Sequence, residues 1–211
     1  MHLTIIGATR GIGRQTLDYA LERGHKVRAF ARSAADLPID HPNLEKMPGD
    51  ATDRVDLERA VLGTDAVLLT LGVPRDWRVV KHTTLFSSAT TALIPAMQTA
   101  GVSRLITVTG FGAGESYDWL SFPEKLARNA ILGRAYADKA IQEELIKASD
   151  LDWTIARPGI LTNSARTGTY QVLVEPASWR QGLISRADVG HYLVTAAEDG
   201  SHIHKTPAIQ R

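Results

Sequence analysis

Apolar positions along the first two thirds of the chain fall into two alternating kinds of segment. Short aliphatic or β-branched runs occupy Leu3–Ile6, Lys26–Ala31, Leu44–Met47, Ala66–Leu71, Arg104–Val108 and Trp153–Ala156, which predicts buried strands. Between them lie stretches of helical length at Ile12–Arg23, Val55–Leu62, Thr83–Ala100 and Glu124–Ala148. In the first of these, Ile12, Thr16, Leu17, Ala20 and Leu21 share one helix face, and Gly24 stands where a left-handed residue ends a helix. Gly63 and Gly101 close two further helices in the same manner. Strand–helix–strand alternation without a long linker implies parallel pairing, right-handed crossovers and helices on both faces of a sheet. The pattern predicts a doubly wound α/β fold.

The last third departs from this rhythm. Thr169–Val174 reads as a strand and Ala187–Ala197 as a helix, while Ser116–Phe122 and Glu175–Gly182 read as aromatic-containing loops. Late insertions in such folds lie near the C-terminal ends of the strands, where open α/β sheets bind ligands, so substrate specificity is expected there.

Composition narrows the class. With 211 residues, 44% hydrophobic and 22% charged, the chain is long enough for a sizeable core, and one domain over residues 1–211 is expected. The net charge of +1, from 24 Lys+Arg against 23 Asp+Glu, argues against a nucleic-acid partner. Cysteine is absent, which removes disulfides, thiolate metal sites and a thiol nucleophile. No apolar run approaches the roughly 20 residues that span a bilayer, and the N-terminus has no signal-peptide layout. A soluble, cytoplasmic protein without a membrane partner is expected.

The first chemistry-bearing feature is the turn Gly7-Ala8-Thr9-Arg10-Gly11-Ile12-Gly13 between the first strand and the first helix. Glycines serve three ends there: a tight turn, backbone approach to a pyrophosphate, and close helix–sheet packing. The phosphates then meet free N–H groups at the positive end of the helix dipole. Dinucleotide sites for NAD carry an acid at the end of the second strand to bind the ribose 2′-hydroxyl. This chain has Ala31-Arg32-Ser33 instead. An arginine cannot accept that hydrogen bond but can grip a 2′-phosphate, with Arg10 approaching from the other side, so NADP(H) is the predicted cofactor. The plainer reading is two solvated arginines.

These residues, with Gly49-Asp50-Ala51, Thr70-Leu71-Gly72 and Ala156-Arg157-Pro158-Gly159-Ile160, occur in the order of a short-chain dehydrogenase/reductase. The chain resembles the small atypical members that include flavin and biliverdin-IXβ reductases and NmrA-like regulators. Thr167-Gly168-Thr169-Tyr170 and Ile184 through His191 are similar to the flavin reductase branch. The resemblance covers nearly the entire chain and implies a Rossmann fold. It implies that Gly7, Thr9, Arg10, Gly11, Ile12 and Gly13 form the pyrophosphate side, and that Arg32 takes the 2′-phosphate. It further implies that Asp50 and Ala51 bracket the adenine, that Leu71 and Gly72 line the adenosine ribose, and that Pro158 and Ile160 lie beside the nicotinamide. For Asp50, a cap on the helix before Val55 is equally good local chemistry.

The family's acid–base set is incomplete. Its Y-x-x-x-K pair is represented by Lys139, but Ala135 stands four residues before it and Tyr136 three, rotated by about 100° on the helix. Lys139 is expected either to hydrogen-bond the nicotinamide ribose or to pair, solvated, with Glu143. Gly110 replaces the usual serine after the fifth strand, leaving Thr109 as the nearest hydroxyl, and Gly159 replaces a histidine of the flavin reductases. Thr109, Lys139 and Tyr136 are therefore the catalytic candidates. A flavin-like or quinone-like acceptor can take its proton from water, so hydride transfer to a planar small molecule remains open. The alternatives are a non-catalytic NADP(H)-binding redox sensor and a sugar epimerase or dehydratase.

Weaker features complete the list. Arg75, Trp77, Arg78, Lys81 and His82 form either a cationic, aromatic mouth or a solvated loop. Trp119, Phe122 and Trp179 either stack on a planar ring or pin the late loops to the core. His202-Ile203-His204 reads as alternation on a terminal strand, with no partners that would predict a metal site. Arg186 and Asp188 are expected to cap and anchor the last helix.

Overall fold

The computed structural model describes residues 1–72 and 83–211. Its main sheet has eight strands in the order β3-β2-β1-β4-β5-β6-β10-β8. These are β1 (His2–Ile6), β2 (Lys26–Ala31), β3 (Leu44–Pro48), β4 (Ala66–Leu69), β5 (Arg104–Val108), β6 (Asp152–Pro158), β8 (Gln171–Leu173) and β10 (Ala208–Gln210). The first six in chain order run parallel and give the doubly wound order 3-2-1-4-5-6; β10 continues parallel to β6, and β8 closes the edge antiparallel. A separate parallel pair, β7 (Ile160–Thr162) and β9 (Leu183–Ser185), ties the segment after β6 to the segment before the last helix. The fold is the Rossmann α/β arrangement expected from the pattern.

Both faces of the sheet are buried, which is why its central strands are mostly apolar. Alternate residues serve opposite sides: Leu3, Ile5, Ala66 and Leu68 pack under α1 (Gly11–Glu22) and α5 (Arg186–Glu198), with Leu17, Ala20, Val189 and Leu193. Ile6, Val67 and Leu69 face α2 (Arg54–Val61), α3 (Leu85–Ala100) and α4 (Phe122–Lys147), against Leu57, Leu93, Met97 and Ile146. α1 and α5 approach so closely that a Cβ on Gly190 would stand 2.8 Å from the Thr16 amide. Asp138 of α4 is buried, and its carboxylate accepts from the Phe86 amide at 2.8 Å and from Ser87, which ties α4 to the first turn of α3. Among the described residues no helix is long and apolar enough to cross a membrane.

Several expectations are corrected. The strand at Thr169–Val174 is only Gln171–Leu173, and β7, β9 and β10 are elements that no periodicity signalled. His202 and His204 lie in turns with positive φ, not on a strand; their rings hydrogen-bond the Tyr192 hydroxyl and the Leu151 carbonyl. Phe122 opens α4, and Ser116 falls in a 3₁₀ turn at Gly114–Trp119. Trp179 is buried with Phe111, Leu120 and Ala208 and donates to the Leu173 carbonyl at 3.0 Å, so it pins the late loops to the core. Trp119 is half exposed and meets it edge-on, while Phe122 is 81% exposed.

Candidate active site

A cleft of about 980 Å³ runs across the C-terminal ends of the strands. This is where the strand order reverses, between β1 and β4, and where open α/β sheets bind ligands. The cleft is built on the first turn. Gly7 has φ +90 and a Cβ there would meet the Thr70 carbonyl oxygen at 3.0 Å, so the turn passes against the tip of β4 with no room for a side chain. Gly13 lies inside the contact: its Cβ would stand 2.1 Å from the Gly7 oxygen and 2.5 Å from Thr70 Oγ1. Gly11, with φ +59, has nothing within 4 Å of such an atom and opens onto the cleft. The first N–H groups of α1 have no partner within the helix. This is a cradle for an anion at a helix N-terminus, and a dinucleotide pyrophosphate fits it.

Thr9, Arg10, Gly11, Ile12, Ala31, Arg32, Ser33, Asp50, Ala51, Leu71 and Gly72 line the cleft at the tips of β1 to β4. Among the described residues the Arg10 and Arg32 side chains make no hydrogen bond or ion pair. Asp50 is not the cap of α2: Asp53 is, accepting from the Asp56 amide at 2.9 Å. Asp50 Oδ1 accepts from both the amide and hydroxyl of Thr52, at 2.9 and 2.8 Å, which holds its carboxyl below the usual range.

At the other end the lining residues are Leu85, Val108, Thr109, Lys139, Pro158, Leu161, Asn163 and Arg186. Lys139 is not the solvated lysine of the plainer reading. Its ammonium donates to the Thr109 carbonyl and lies 4.8 Å above the Phe86 ring, and burial pulls its pKa down to about 8 against the opposing charge of Glu143. Thr109 lines the cleft, yet its hydroxyl is turned away and donates to the buried carboxylate of Glu143 at 2.6 Å. Tyr136 is not among the described lining residues. Its hydroxyl occupies the space beside Gly110, where an added Cβ would stand 2.7 Å from it. The helical rotation of Tyr136 therefore fills the place of the family's serine.

Gly159 is likewise closed to a side chain, because the Gly182 carbonyl lies 2.2 Å from where its Cβ would be. Ile160 is 53% exposed and points out of the cleft; Leu161, its neighbour on the opposite face of β7, takes the position beside Pro158. Arg186 does more than anchor its helix. It donates to the Thr162 carbonyl at 3.1 Å and to Asn163 Oδ1 at 2.6 Å, and it forms part of the cleft wall. Asp188 does anchor, accepting from the Thr167 and Gly168 amides and the Ser185 hydroxyl. The cationic mouth of Arg75, Trp77, Arg78, Lys81 and His82 lies outside the described residues.

Sequence reasoning left several features unassigned, among them Leu85, Val108, Leu161, Asn163 and the buried Glu143–Arg157 pair. Leu161 and Asn163 follow Pro158-Gly159 directly, and that proximity was the available signal.

Known proteins are similar to this chain over nearly its whole length. The chain is 26% identical over 208 residues to the uncharacterised sugar epimerase YhfK of Bacillus subtilis, covering 94% of this chain and 89% of that one. ChuY, an anaerobillin reductase from Escherichia coli O157:H7, superposes with a TM-score of 0.80 at 26% identity, over 100% of this chain and 97% of that one. A short-chain dehydrogenase/reductase from Veillonella parvula in complex with NADP shares the fold, with a TM-score of 0.85 at 18% identity, over 100% and 94% of the two chains. The profile of the family described as NAD(P)H-binding matches residues 7–200, and the chain belongs to that family of Rossmann-fold proteins.

Proposed function

We propose that the protein is an NADP(H)-dependent reductase that delivers hydride to a planar, electrophilic small molecule of the flavin or quinone type. The observation that carries the choice of NADP(H) is the pair Arg10 and Arg32 on the cleft wall, without a carboxylate at the end of β2. Two guanidinium groups of this kind suit a 2′-phosphate and leave a bare ribose diol without its acceptor. Gly7, Gly11 and Gly13 would admit the pyrophosphate, the Asp50 carboxylate would accept from the adenine amino group, and Lys139 would donate to the second ribose. When bound, the nicotinamide supplies the hydride. Pro158 and Leu161 form the apolar wall against which a ring is held and water excluded.

The nicotinamide end has no hydroxyl aimed into it from Thr109 or Tyr136, so water supplies the proton that the acceptor takes up. This suits an acceptor that is already electrophilic and does not suit alcohol or sugar chemistry, which needs a positioned acid or base. The same observation favours a second reading, a non-catalytic NADP(H)-binding sensor. Steady-state NADPH oxidation with a panel of oxidised flavins, quinones and linear tetrapyrroles separates the two. Consumption of NADPH with one of these acceptors is expected; tight NADPH binding with no acceptor turned over favours the sensor.

A further inference from the structure

Behind the cleft floor lies a buried charged cluster that the proposed reaction does not use. Glu143 is 1% exposed and Arg157 is fully buried. The Arg157 Nε donates to Glu143 Oε1 at 3.1 Å, and its Nη2 donates to Glu143 Oε2 and, at 3.2 Å, to Glu115. A buried ion pair by itself adds little stability, since apolar residues of the same volume do as well. What distinguishes Glu143 is its position relative to the cleft. It follows Lys139 by one turn of α4, accepts the Thr109 hydroxyl at 2.6 Å, and the Thr109 carbonyl in turn accepts the Lys139 ammonium. A closed circuit results: Lys139 to Thr109, Thr109 to Glu143, and Glu143 back to Lys139 through the helix. Gly114 is kept without a side chain at this point, because its Cβ would stand 2.6 Å from Glu143 Oε2.

We propose that Glu143 is a positioning residue, which fixes the Lys139 ammonium in the cleft by holding the tip of β5 and by supplying the carboxylate charge behind it. The proposal rests on the reading of Lys139 as a cofactor contact. Among the described residues, the groups around Lys139 are few. From α4 come Glu143, the Tyr136 ring at 6.0 Å and Asp138, whose carboxylate is taken by Phe86 and Ser87. From α3 comes the Phe86 ring, and from β5 the Thr109 carbonyl. Arg157 of β6 and Glu115 lie behind Glu143. Glu143 is therefore the carboxylate that offsets the cost of burying this ammonium, which titrates near pH 8 with it in place.

The test titrates Lys139 in the full-length chain by the pH dependence of its acetylation, read by peptide mass spectrometry, beside NADPH fluorescence titrations over the same pH range. Glu143→Gln should move the Lys139 midpoint to lower pH by about one unit. NADPH affinity should be retained on the acid side and lost at a correspondingly lower pH. Glu143→Asp, which keeps the charge, should leave the midpoint near that of the parent. A merely structural role would lower the melting temperature and leave the midpoint in place, and that result overturns the proposal. If Glu143→Gln does not fold, the double substitution with Arg157→Met removes both halves of the ion pair and is compared with Arg157→Met alone: a Lys139 midpoint below that of Arg157→Met is expected, and an equal midpoint overturns the proposal. Unchanged NADPH binding in Lys139→Ala would overturn the cofactor-contact reading, while the acetylation midpoint would still decide the role of Glu143.

Discussion

Gly13 gives the most quantitative prediction, because the space around it is closed by backbone. In Gly13→Ala the new methyl would start 2.1 Å from the Gly7 carbonyl oxygen, 2.8 Å from its carbon and 2.5 Å from Thr70 Oγ1. Ordinary Cβ contacts lie at 3.4–4 Å and essentially none fall below 3.0 Å, so helix and turn must separate by about 1 Å. Thr70 cannot simply swing aside without losing its 2.8 Å hydrogen bond to the Ile6 carbonyl. Overpacking of this kind costs about 1–3 kcal/mol, or about 2–4 °C in melting temperature per kcal/mol for a chain of this length. The effect on cofactor should be larger. A cradle displaced by about 1 Å loses at least one amide–phosphate hydrogen bond, about 1.5–3 kcal/mol, which corresponds to roughly 10- to 150-fold in affinity. Thermal unfolding and NADPH fluorescence titration measure the two effects on one sample. A Gly13→Ala protein that melts and binds NADPH like the parent would refute the assignment of the turn as the phosphate cradle.

Three further outcomes are expected. Arg32→Ala should weaken NADPH binding by roughly 10- to 150-fold and leave NADH binding nearly unchanged; equal losses for both in titration calorimetry would contradict the 2′-phosphate assignment. Tyr136→Phe should keep steady-state turnover within a few-fold, because its hydroxyl packs against Gly110, whereas loss of a general acid would cost about 10²–10⁴-fold. Asp188 is opposed by burial, but its hydrogen bonds from Thr167, Gly168 and Ser185 win and hold its carboxyl below the usual range. Its contribution is therefore present above the unfolded pKa of about 3.9 and lost as the pH falls through the lower folded value. The urea midpoint of the parent should drop below about pH 4, and Asp188→Asn should show a flatter acid limb; parallel curves would contradict this.

Much of this site is legible in the sequence because its first part is local. The turn from Gly7 to Gly13 carries its own instructions: a strand before it, a helix after it, and glycines where backbone must approach backbone. Arg32 and Asp50 are legible for the same reason, each standing at the tip of a strand that periodicity locates. The end of the cleft around Thr109 and Lys139 is not local. Whether Thr109 turns its hydroxyl to the cleft or to Glu143 depends on a residue 34 positions away on another element. Tyr136 is displaced by helix rotation, which spacing reveals, but its destination beside Gly110 depends on how α4 docks on β5. β10 escaped notice because three residues carry too little period to register, and its partner β6 lies some fifty residues earlier. The exposed face of Ile160 follows from the pairing of β7 with β9, two strands separated by a loop that no local rule closes.

The central claim is that the cleft holds the nicotinamide in one orientation and passes its hydride to an acceptor. Single-turnover oxidation of NADPH deuterated on one or the other face of the nicotinamide C4, with an oxidised flavin or quinone in excess, tests it most directly. The predicted result is slower oxidation with one stereoisomer and an unchanged rate with the other, because Pro158 and Leu161 present a single wall to the ring. NADPH that binds but is not oxidised, or oxidation that is indifferent to both deuterated forms, would contradict it.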